Sequence, residues 1–268
     1  MIRFKSFSSG SCGNCYFIGI FNELGAAEAG IVIDAGVSPK TLKRSLAEEG
    51  LCFDDIDAVL ITHDHGDHIR SLGSFCKHIG KPVYATSTLH AALRHHPYSR
   101  DWIGGYAHEL DEGWNKLCGG RVSVRSFIVP HDATQTSGYA ILLDGYRFVI
   151  MTDVGRVTKE ALDLASQADT LVIEANYDPW MLAHGPYPPE LQERISSGHG
   201  HISNPECAEA VRKALHPELR NIFLCHLSEH NNTPELARDC VAEVLKGLEN
   251  PPRMLPLPRR TASPLYFL

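Results

Sequence analysis

Short runs of apolar, largely β-branched residues recur along the chain, and polar stretches with a helical repeat separate several of them. A continuous apolar run of this kind predicts a buried strand, and such runs lie at 30–33, 58–62, 171–173 and 222–225. Amphipathic helices are predicted at about 40–49 and 69–78, and a further strand at 82–86 follows the second helix. This β-α-β alternation predicts an α/β protein built in layers.

Other apolar segments predict strands that pair with their neighbours along the chain. Strands at 2–7 and 15–20 flank a stretch of small residues at 8–14, which fits either a plain hairpin turn or a cradle for an anion such as phosphate. A strand at 121–129 precedes a hairpin whose arms, 137–143 and 146–151, meet at Asp144-Gly145. Residues 251–268 predict a proline-rich linker and then a last edge strand at 263–268.

The predicted strands end repeatedly in residues that bind metals or carry protons. These strand-end residues are Asp34, His63, His131, Asp153 and His226, with Glu174 as a sixth case. Each one alone is explained equally well by a turn or a helix cap. Ligands of α/β folds bind at the carboxyl ends of the strands, so the repetition predicts a functional site at that edge.

The densest group of such residues lies at 62–68, directly after the predicted strand 58–62. Within six positions the chain has His63, His65, Asp67 and His68, with Gly66 predicted to form a tight turn and Asp67 predicted to cap the following helix. Imidazole and carboxylate groups at this density suit zinc, manganese or iron. The alternative is a solvated histidine-rich turn.

Composition is typical of a soluble globular protein and excludes few functions. The chain has 268 residues, of which 43% are hydrophobic and 21% charged, and no apolar stretch approaches the roughly 20 residues of a membrane-spanning helix. The amino terminus lacks the apolar segment of a secretory signal, so we expect a cytoplasmic protein that does not contact membranes. The net charge of −7 does not by itself indicate a nucleic-acid-binding protein.

The eight cysteines are scattered rather than arranged as a disulfide framework. Cys12 and Cys15 have the CxxC spacing, but no second CxxC is present to complete a tetrahedral metal site. We therefore expect reduced, structural thiols.

The order of the candidate ligands resembles the metallo-β-lactamase superfamily over nearly the whole chain. The motif His63-x-His65-x-Asp67-His68 is followed by His131, Asp153 and His226, and preceded by the strand that ends at Asp34. The resemblance implies an α/β fold of the αββα type, with two mixed sheets flanked by helices. It also implies two divalent ions, Zn²⁺ or Mn²⁺ and possibly Fe, at one edge of this sandwich. One ion would be held by His63, His65 and His131 and the other by Asp67, His68 and His226, with Asp153 bridging.

Further motifs are similar to the YycJ/WalJ group of small bacterial relatives of ribonuclease J. They are Ser8-Ser9-Gly10-Ser11 with Gly13-Asn14, Gly200-His201 before Ser203-Asn204, and 225–235 around Cys225-His226. The group usually has a lysine where this chain has Cys12. The interval between Asp153 and His226 is too short for the inserted β-CASP domain of larger nucleases, so we expect a single domain over 1–268.

The resemblance to this group implies a metal-dependent phosphodiesterase that acts as a 5′-to-3′ exonuclease, on DNA rather than RNA. A hydroxide bridging the two ions would attack phosphorus, Asp67 would orient it, and His201 would protonate the leaving oxygen. A structural loop histidine is the alternative for His201. In supporting positions we expect Asp34 and Glu174 beside ligand histidines or the substrate, and Ser11 and Asn14 at a terminal phosphate.

Other functions are compatible with the same ligands, because a fold does not choose a substrate. The main alternative is a hydrolase of small molecules such as cyclic nucleotides, thioesters or lactones, and a non-catalytic metal-binding protein is a second. The stretch 89–102, rich in histidine, arginine and aromatic residues, fits either a surface that meets a polyanionic strand or a solvated helix face.

Overall fold

The computed structural model describes residues 1–268. Its fourteen strands are, in chain order, β1 (Ile2–Gly10), β2 (Gly13–Phe21), β3 (Ala27–Ile33), β4 (Ala58–Leu60), β5 (Val83–Ala85), β6 (Ala107–Glu109), β7 (Asn115–Leu117), β8 (Val122–Val129), β9 (Thr136–Leu143), β10 (Tyr146–Met151), β11 (Thr170–Glu174), β12 (Asn221–Cys225), β13 (Arg253–Pro256) and β14 (Tyr266–Phe267).

Nine α-helices connect the strands. They are α1 (Pro39–Ala47), α2 (Gly66–Ile69), α3 (Leu72–His78), α4 (Ser87–Leu93), α5 (Lys159–Ala165), α6 (Pro179–His184), α7 (Pro189–Ser196), α8 (Asn204–Ala214) and α9 (Pro234–Leu245), with short 3-10 turns at Phe53–Asp55, Ile103–Gly105 and Cys118–Gly120. None of these helices combines the length and the apolar character needed to span a bilayer.

The strands form two sheets of seven, each part parallel and part antiparallel. The order of the first sheet is β14-β1-β2-β3-β4-β5-β6, and that of the second is β13-β12-β11-β10-β9-β8-β7. In each sheet the strands connected through helices are parallel, as in β3-β4-β5 and β10-β11-β12, and the hairpin strands are antiparallel. The predicted α/β sandwich of two mixed sheets flanked by helices is therefore confirmed.

Three apolar layers hold this sandwich together. Between the sheets, the ring of Phe4 lies 5.2 Å from Phe148 and 5.0 Å from Phe223, which joins β1 of the first sheet to β10 and β12 of the second. A second cluster packs α1, α3 and α4 on the outer face of the first sheet. A third packs α5, α8 and α9 on the outer face of the second sheet. The arrangement leaves the ends of the strands free to carry a site.

The hairpin predicted at Asp144-Gly145 is confirmed, and its backbone explains the choice of residues. The φ angles are 47° at Asp144 and 87° at Gly145. Two successive positive φ angles match the twist of the paired strands, and aspartate and glycine tolerate them best.

Three details of the sequence-based prediction were wrong. The stretch 8–14 is not a long turn, because β1 and β2 include most of it and only Ser11 and Cys12 connect them. The serine hydroxyls have partners there, as in the 2.9 Å contact of Ser9 Oγ with Tyr16 OH, so a polar strand is stable. The predicted linker after 251 contains β13, which pairs with β12 at the edge of the second sheet.

The third detail concerns the helix that follows the histidine motif. The residue at the amino-terminal cap of α2 is His65, and Asp67 lies within the first turn of that helix. Asp67 thus turns its carboxylate toward the histidines, where Oδ2 lies 3.6 Å from His68 Nε2, instead of capping backbone N–H groups.

Candidate metal centre and active site

The predicted ligands meet at one edge of the sandwich, although they come from both sheets. The loop after β4 carries the histidine motif, and Asp34 follows β3 in the same sheet. His131, Asp153 and His226 lie in the loops after β8, β10 and β12 of the other sheet. The carboxyl ends of β3, β4, β10 and β12 therefore face one another across the cavity, as expected for an α/β fold.

Three of the strand-end residues have an unusual backbone conformation. The φ angle is 63° at Asp34, 56° at Asp153 and 52° at His226. Residues other than glycine rarely adopt this left-handed conformation, and each such position costs on the order of 1–3 kcal/mol. All three residues are buried, and their side chains point into the cluster. The fold thus accepts backbone strain where a strand must end abruptly and present a polar side chain.

The donor atoms converge in four overlapping groups, of which two match the predicted ligand sets and two contain Asp153, once with His63 and His68 and once with Glu174, His201 and His226. His63, His65 and His131 make one predicted set, and Asp67, His68 and His226 make the other, with the donor atoms of each group within 4.8 Å of one another.

Asp153 lies between the two groups and contacts both. Its Oδ1 is 4.0 Å from His63 Nε2 and 3.6 Å from His131 Nε2. Its Oδ2 is 3.1 Å from His68 Nε2. All seven residues predicted from the sequence as metal ligands are brought together in this way.

Two of these donor nitrogens have no partner within the protein and are suited to bind a cation. Nε2 of His63 and Nε2 of His226 are buried and have no hydrogen-bond partner. Burying a polar nitrogen without a partner is costly, on the order of 1–3 kcal/mol, unless something else satisfies it. Imidazole and carboxylate donors that converge at this spacing suit a divalent transition metal such as zinc or manganese.

The protonation preferences of the histidines differ within the cluster. Burial, together with the charge on His68, holds the pKa of His63 well below its ordinary value, and burial likewise lowers the pKa of His131. Burial also opposes charge on His68, but the carboxylates of Asp153 and Asp34 raise its pKa to about 10. A cation would find His63 and His131 neutral, whereas it would displace a proton from His68.

Asp34, at the end of β3, holds the histidine motif in place through hydrogen bonds. The Oδ2 atom of Asp34 lies 2.6 Å from His68 Nδ1, and Oδ1 accepts a 2.8 Å hydrogen bond from the backbone N–H of Thr62. The Thr62 hydroxyl also contacts His63 Nδ1 at 3.0 Å. The carboxylate thereby orients the ring of His68 with Nε2 toward Asp153, a role that carboxylates have behind metal-binding histidines.

Glu174 occupies the corresponding place on the second sheet. Its Oε1 lies 2.7 Å from His201 Nδ1 and 3.0 Å from His226 Nδ1. Its Oε2 accepts hydrogen bonds from the backbone N–H groups of Val154 and Ile202. Burial would raise the pKa of Glu174, but the charge and hydrogen bond of His201 bring it below the ordinary value. A charged carboxylate thus holds both rings in place.

His201 and Ser11 face the cavity, whereas Asn14 does not. The side chain of His201 is 20% exposed and lines the cavity, with its ring 5.1 Å from that of His131 and 5.2 Å from that of His226. Ser11 is exposed at the rim. Asn14 is fully buried, and its Nδ2 lies 3.1 Å from Asp67 Oδ2 and 2.8 Å from His68 Nε2. Asn14 is therefore placed to orient the ligands.

The cavity itself has a volume of about 250 Å³, and α7 with the residues just before it forms one of its walls. Tyr187, Leu191 and Ile195 supply its apolar side. At the rim, the guanidinium of Arg194 pairs with Asp132, whose carboxylate also lies 3.3 Å from His131 Nε2. An apolar wall beside a polar floor suits a ligand with both characters.

The sequence did not point to Asn176, Asp132 or Arg194. Asn176 Nδ2 donates a 2.9 Å hydrogen bond to the carbonyl oxygen of His226 and lines the cavity. Its position two residues beyond the end of β11 was an available signal. Asp132, directly after His131 in the loop that follows β8, offered a similar signal. No feature of the sequence around Arg194 distinguishes that residue.

The aromatic and basic stretch 89–102 contains one buried structural histidine and two partly exposed aromatic residues. His90 is fully buried, and its Nε2 lies 2.9 Å from the carbonyl oxygen of His108, so it is structural. Tyr98 and Trp102 remain 49% and 45% exposed.

All eight cysteines are free thiols, as expected, and burial raises the pKa of Cys15 well above its ordinary value.

Known proteins resemble this chain over most of its length. A family model described as a β-lactamase superfamily domain matches residues 30–226. Exodeoxyribonuclease WalJ of Streptococcus pneumoniae is 34% identical over 235 residues, which are 88% of this chain and 85% of WalJ. Exodeoxyribonuclease YycJ of Bacillus anthracis is 32% identical over 250 residues, which are 91% of this chain and 89% of YycJ.

Among solved structures, the metallo-β-lactamase fold protein YhfI from Bacillus subtilis aligns over 98% of both chains. The TM-score is 0.69 at 14% sequence identity, so this likeness concerns the fold alone. The fold implies that divalent metal is bound, and the His and Asp groups at the strand ends are suited to it. The chain belongs to the metallo-β-lactamase superfamily, in the branch that contains WalJ and YycJ, and is a metal-dependent hydrolase.

Proposed function

We propose that the protein is a dinuclear metal-dependent phosphodiesterase that degrades DNA as a 5′-to-3′ exonuclease. The observation that carries this proposal is the pair of donor groups that Asp153 contacts, with His201 beside them in the same cavity, its ring 5.1 Å from that of His131 and 5.2 Å from that of His226. The relatives named exodeoxyribonucleases, at 34% and 32% identity, support DNA as the substrate. The cytoplasmic location expected from the sequence stays a prediction.

The seven clustered side chains would hold the ions. His63, His65 and His131 would hold one ion, and Asp67, His68 and His226 the other, with Asp153 shared between them. When bound, the ions would activate a shared water for in-line attack on phosphorus and neutralise the non-bridging oxygens. Asp34 and Glu174 would keep the histidines oriented through their contacts with His68 and His226.

Two residues of the chain would direct the attack itself. The Asp67 carboxylate lines the cavity and accepts a hydrogen bond from Asn14, which leaves its other oxygen free to orient the nucleophile. Ser11 at the rim would contact a phosphate of the strand. Both positions agree with a substrate that enters along the edge of the sandwich.

His201 would protonate the leaving oxygen. Glu174 binds His201 through Nδ1, so the opposite nitrogen, Nε2, is available to the substrate. Burial opposes charge on His201, but the Glu174 carboxylate raises its pKa above the ordinary value, which favours the protonated form that an acid requires. This pairing of a buried carboxylate and a partly exposed histidine provides the proton for a sugar alkoxide.

A substrate panel tests the function. The metal-loaded protein is incubated with 5′-labelled duplex DNA, single-stranded DNA, RNA, bis-p-nitrophenyl phosphate and a thioester. We expect release of nucleotides from the 5′ end of DNA and slower hydrolysis of the small phosphodiester. Rapid turnover of the thioester or of a cyclic nucleotide without nucleotide release from DNA would favour the small-molecule alternative.

The role of His201 is tested by comparing leaving groups. We expect His201→Gln to lower the rate on DNA by about 10²- to 10⁴-fold. The loss on bis-p-nitrophenyl phosphate should be far smaller, because p-nitrophenolate leaves without a proton. His199→Gln, two residues away on the exposed side of the same loop, is the matched control and should keep wild-type rates. Equal losses on both substrates would assign His201 a structural role.

A further inference from the structure

A second cavity opens beside the proposed metal centre, and we name it the Tyr98 cavity. It is lined by Ser11, Gly66, Asp67, Arg70, Ser71 and Tyr98. Ser11 and Asp67 also line the catalytic cavity, so the two cavities are adjacent. It is an open depression of the surface with a volume of about 590 Å³.

Tyr98 forms one wall of this cavity because Gly66 has no side chain. A Cβ atom at position 66 would lie 3.3 Å from Cε2 of the Tyr98 ring, so the ring packs directly on the loop that carries the histidine motif. The backbone of Tyr98 is fixed, since its carbonyl oxygen accepts a 2.9 Å hydrogen bond from Gly73 N–H. The side chain nevertheless remains 49% exposed. A half-exposed aromatic ring that packs on the loop of the proposed metal centre is a surface on which a planar group can stack.

Arg70 gives the same cavity a positive charge that the protein does not neutralise. The side chain is exposed, and its one protein contact is a 3.4 Å hydrogen bond from Nε to the carbonyl oxygen of Gly66. Arg194 and Arg100 are paired with Asp132 and Asp101, whereas several other exposed arginines, like Arg70, make no ion pair. Among these unpaired arginines, Arg70 lines the cavity next to the proposed metal centre. It is free to bind an anion in a forked geometry.

We propose that the Tyr98 cavity is a nucleotide subsite for the strand that is being cleaved. A base would stack on the exposed face of Tyr98, and the adjoining phosphate would contact Arg70 and the hydroxyls of Ser71 and Ser11. This inference rests on the proposed nuclease function, and it adds the path of the strand: from the metal centre across Gly66 toward Arg70. Stacking does not distinguish the bases, so the subsite predicts digestion with little sequence preference.

Abasic substrates test the stacking contact. A tetrahydrofuran residue replaces the first or the second nucleotide from each end in turn, and kcat/KM is compared with that of intact DNA. Loss of one stacked base should slow the wild-type protein by about 5- to 100-fold at one of these positions. Tyr98→Ala should slow cleavage of intact DNA by a similar factor and cleave intact and abasic DNA at equal rates. Tyr98→Phe should retain the wild-type ratio.

The salt dependence of the affinity for single-stranded DNA tests the contact between Arg70 and a phosphate. Each phosphate contact on a single strand contributes about 0.7 to the slope of log affinity against log salt concentration. We expect Arg70→Ala to reduce that slope by about this amount and Arg100→Ala, at an exposed arginine paired with Asp101, to leave it unchanged. A wild-type slope in Arg70→Ala would overturn the phosphate contact.

The outcomes separate the subsite from the function on which it rests. If the wild-type protein releases no nucleotides from DNA, the proposed function fails and the subsite fails with it. If it cleaves DNA, but without discriminating against any abasic position, the subsite alone is wrong. The same holds if Tyr98→Ala keeps the wild-type ratio. Trp114→Ala, at another exposed aromatic residue, controls for loss of surface area and should behave as wild type.

Discussion

At the scale of single residues, the polar residues at strand ends carry the chemistry, and their types and order are readable in the sequence. His63, Asp153 and His226 each follow an apolar run, which indicates that they lie near the end of a strand. The partners of these residues are less readable. Asn14 meets His68, and Tyr98 packs on Gly66, only because elements distant in sequence are packed together.

The contact of Asp34 with His68 leads to a prediction about metal affinity. Asp34→Asn keeps a residue that tolerates the left-handed backbone, but it exchanges an oxygen beside His68 Nδ1 for an amide. We expect the affinity for Zn²⁺ or Mn²⁺ to fall by about 10- to 100-fold, the usual effect of losing such a partner. Competition with a chromophoric chelator measures this.

Asp57→Asn provides the control for that substitution. Asp57 lies on the opposite end of the same strands, where its carboxylate accepts a 2.9 Å hydrogen bond from Gly30 N–H far from the histidine motif. This variant should keep the wild-type affinity for the metal. Unchanged affinity in Asp34→Asn would remove Asp34 from the metal centre.

At the scale of elements, the apolar pattern predicts the existence of strands better than their ends. β4 has only three residues, although the apolar run extends to 62, because the chain leaves the sheet to deliver the histidine motif. Conversely, β1 continues through Ser8 and Ser9, whose polar side chains suggested a turn. Pairing across strands, as between Ser9 and Asn14, decides these ends, and a single segment does not contain that information.

The capping box of α8 links helix stability to the position of His201. Ser203 Oγ accepts a hydrogen bond from Glu206 N–H, and Glu206 Oε2 accepts one from Ser203 N–H. We expect Ser203→Ala to lower the free energy of unfolding by about 1 kcal/mol. It should also lower kcat on DNA, because the cap fixes the chain just after His201.

The helix α9 offers a matched control. Thr233 caps α9 through a hydrogen bond from Leu236 N–H and lies outside the His201 loop. Thr233→Ala should cost a similar free energy in urea denaturation without changing kcat. Equal kcat values for the two variants would show that the cap of α8 acts on stability alone.

At the scale of the whole molecule, the metal centre joins two sheets that are otherwise held by apolar contacts such as Phe4 with Phe148. Ions that bind only the folded chain stabilise it, by about 2.7 kcal/mol per site at a free concentration of 100 Kd. A change of 1 kcal/mol shifts Tm by about 2–4 °C in a domain of this size. We therefore expect a chelator to lower Tm by about 5–10 °C for each ion removed.

Calorimetry of two histidine variants completes that prediction. His63→Ala removes a buried donor of the centre and should abolish most of the difference in Tm between metal-loaded and chelated protein. His95→Ala, at an exposed residue of the stretch 89–102, should preserve the difference. The same Tm with and without chelator in the wild-type protein would contradict a centre that spans the sheets.

The division of the donors between the two sheets also bears on the order of folding. Asp67 and His68 belong to the first half of the chain, whereas Asp153 and His226 come from the second, so no short segment contains a complete group. The centre is a long-range contact that forms only after the sheets have docked. We therefore expect bound ions to slow unfolding more than they change the rate of refolding. The same residues that bind the ions for catalysis would thus also slow the unfolding of the sandwich.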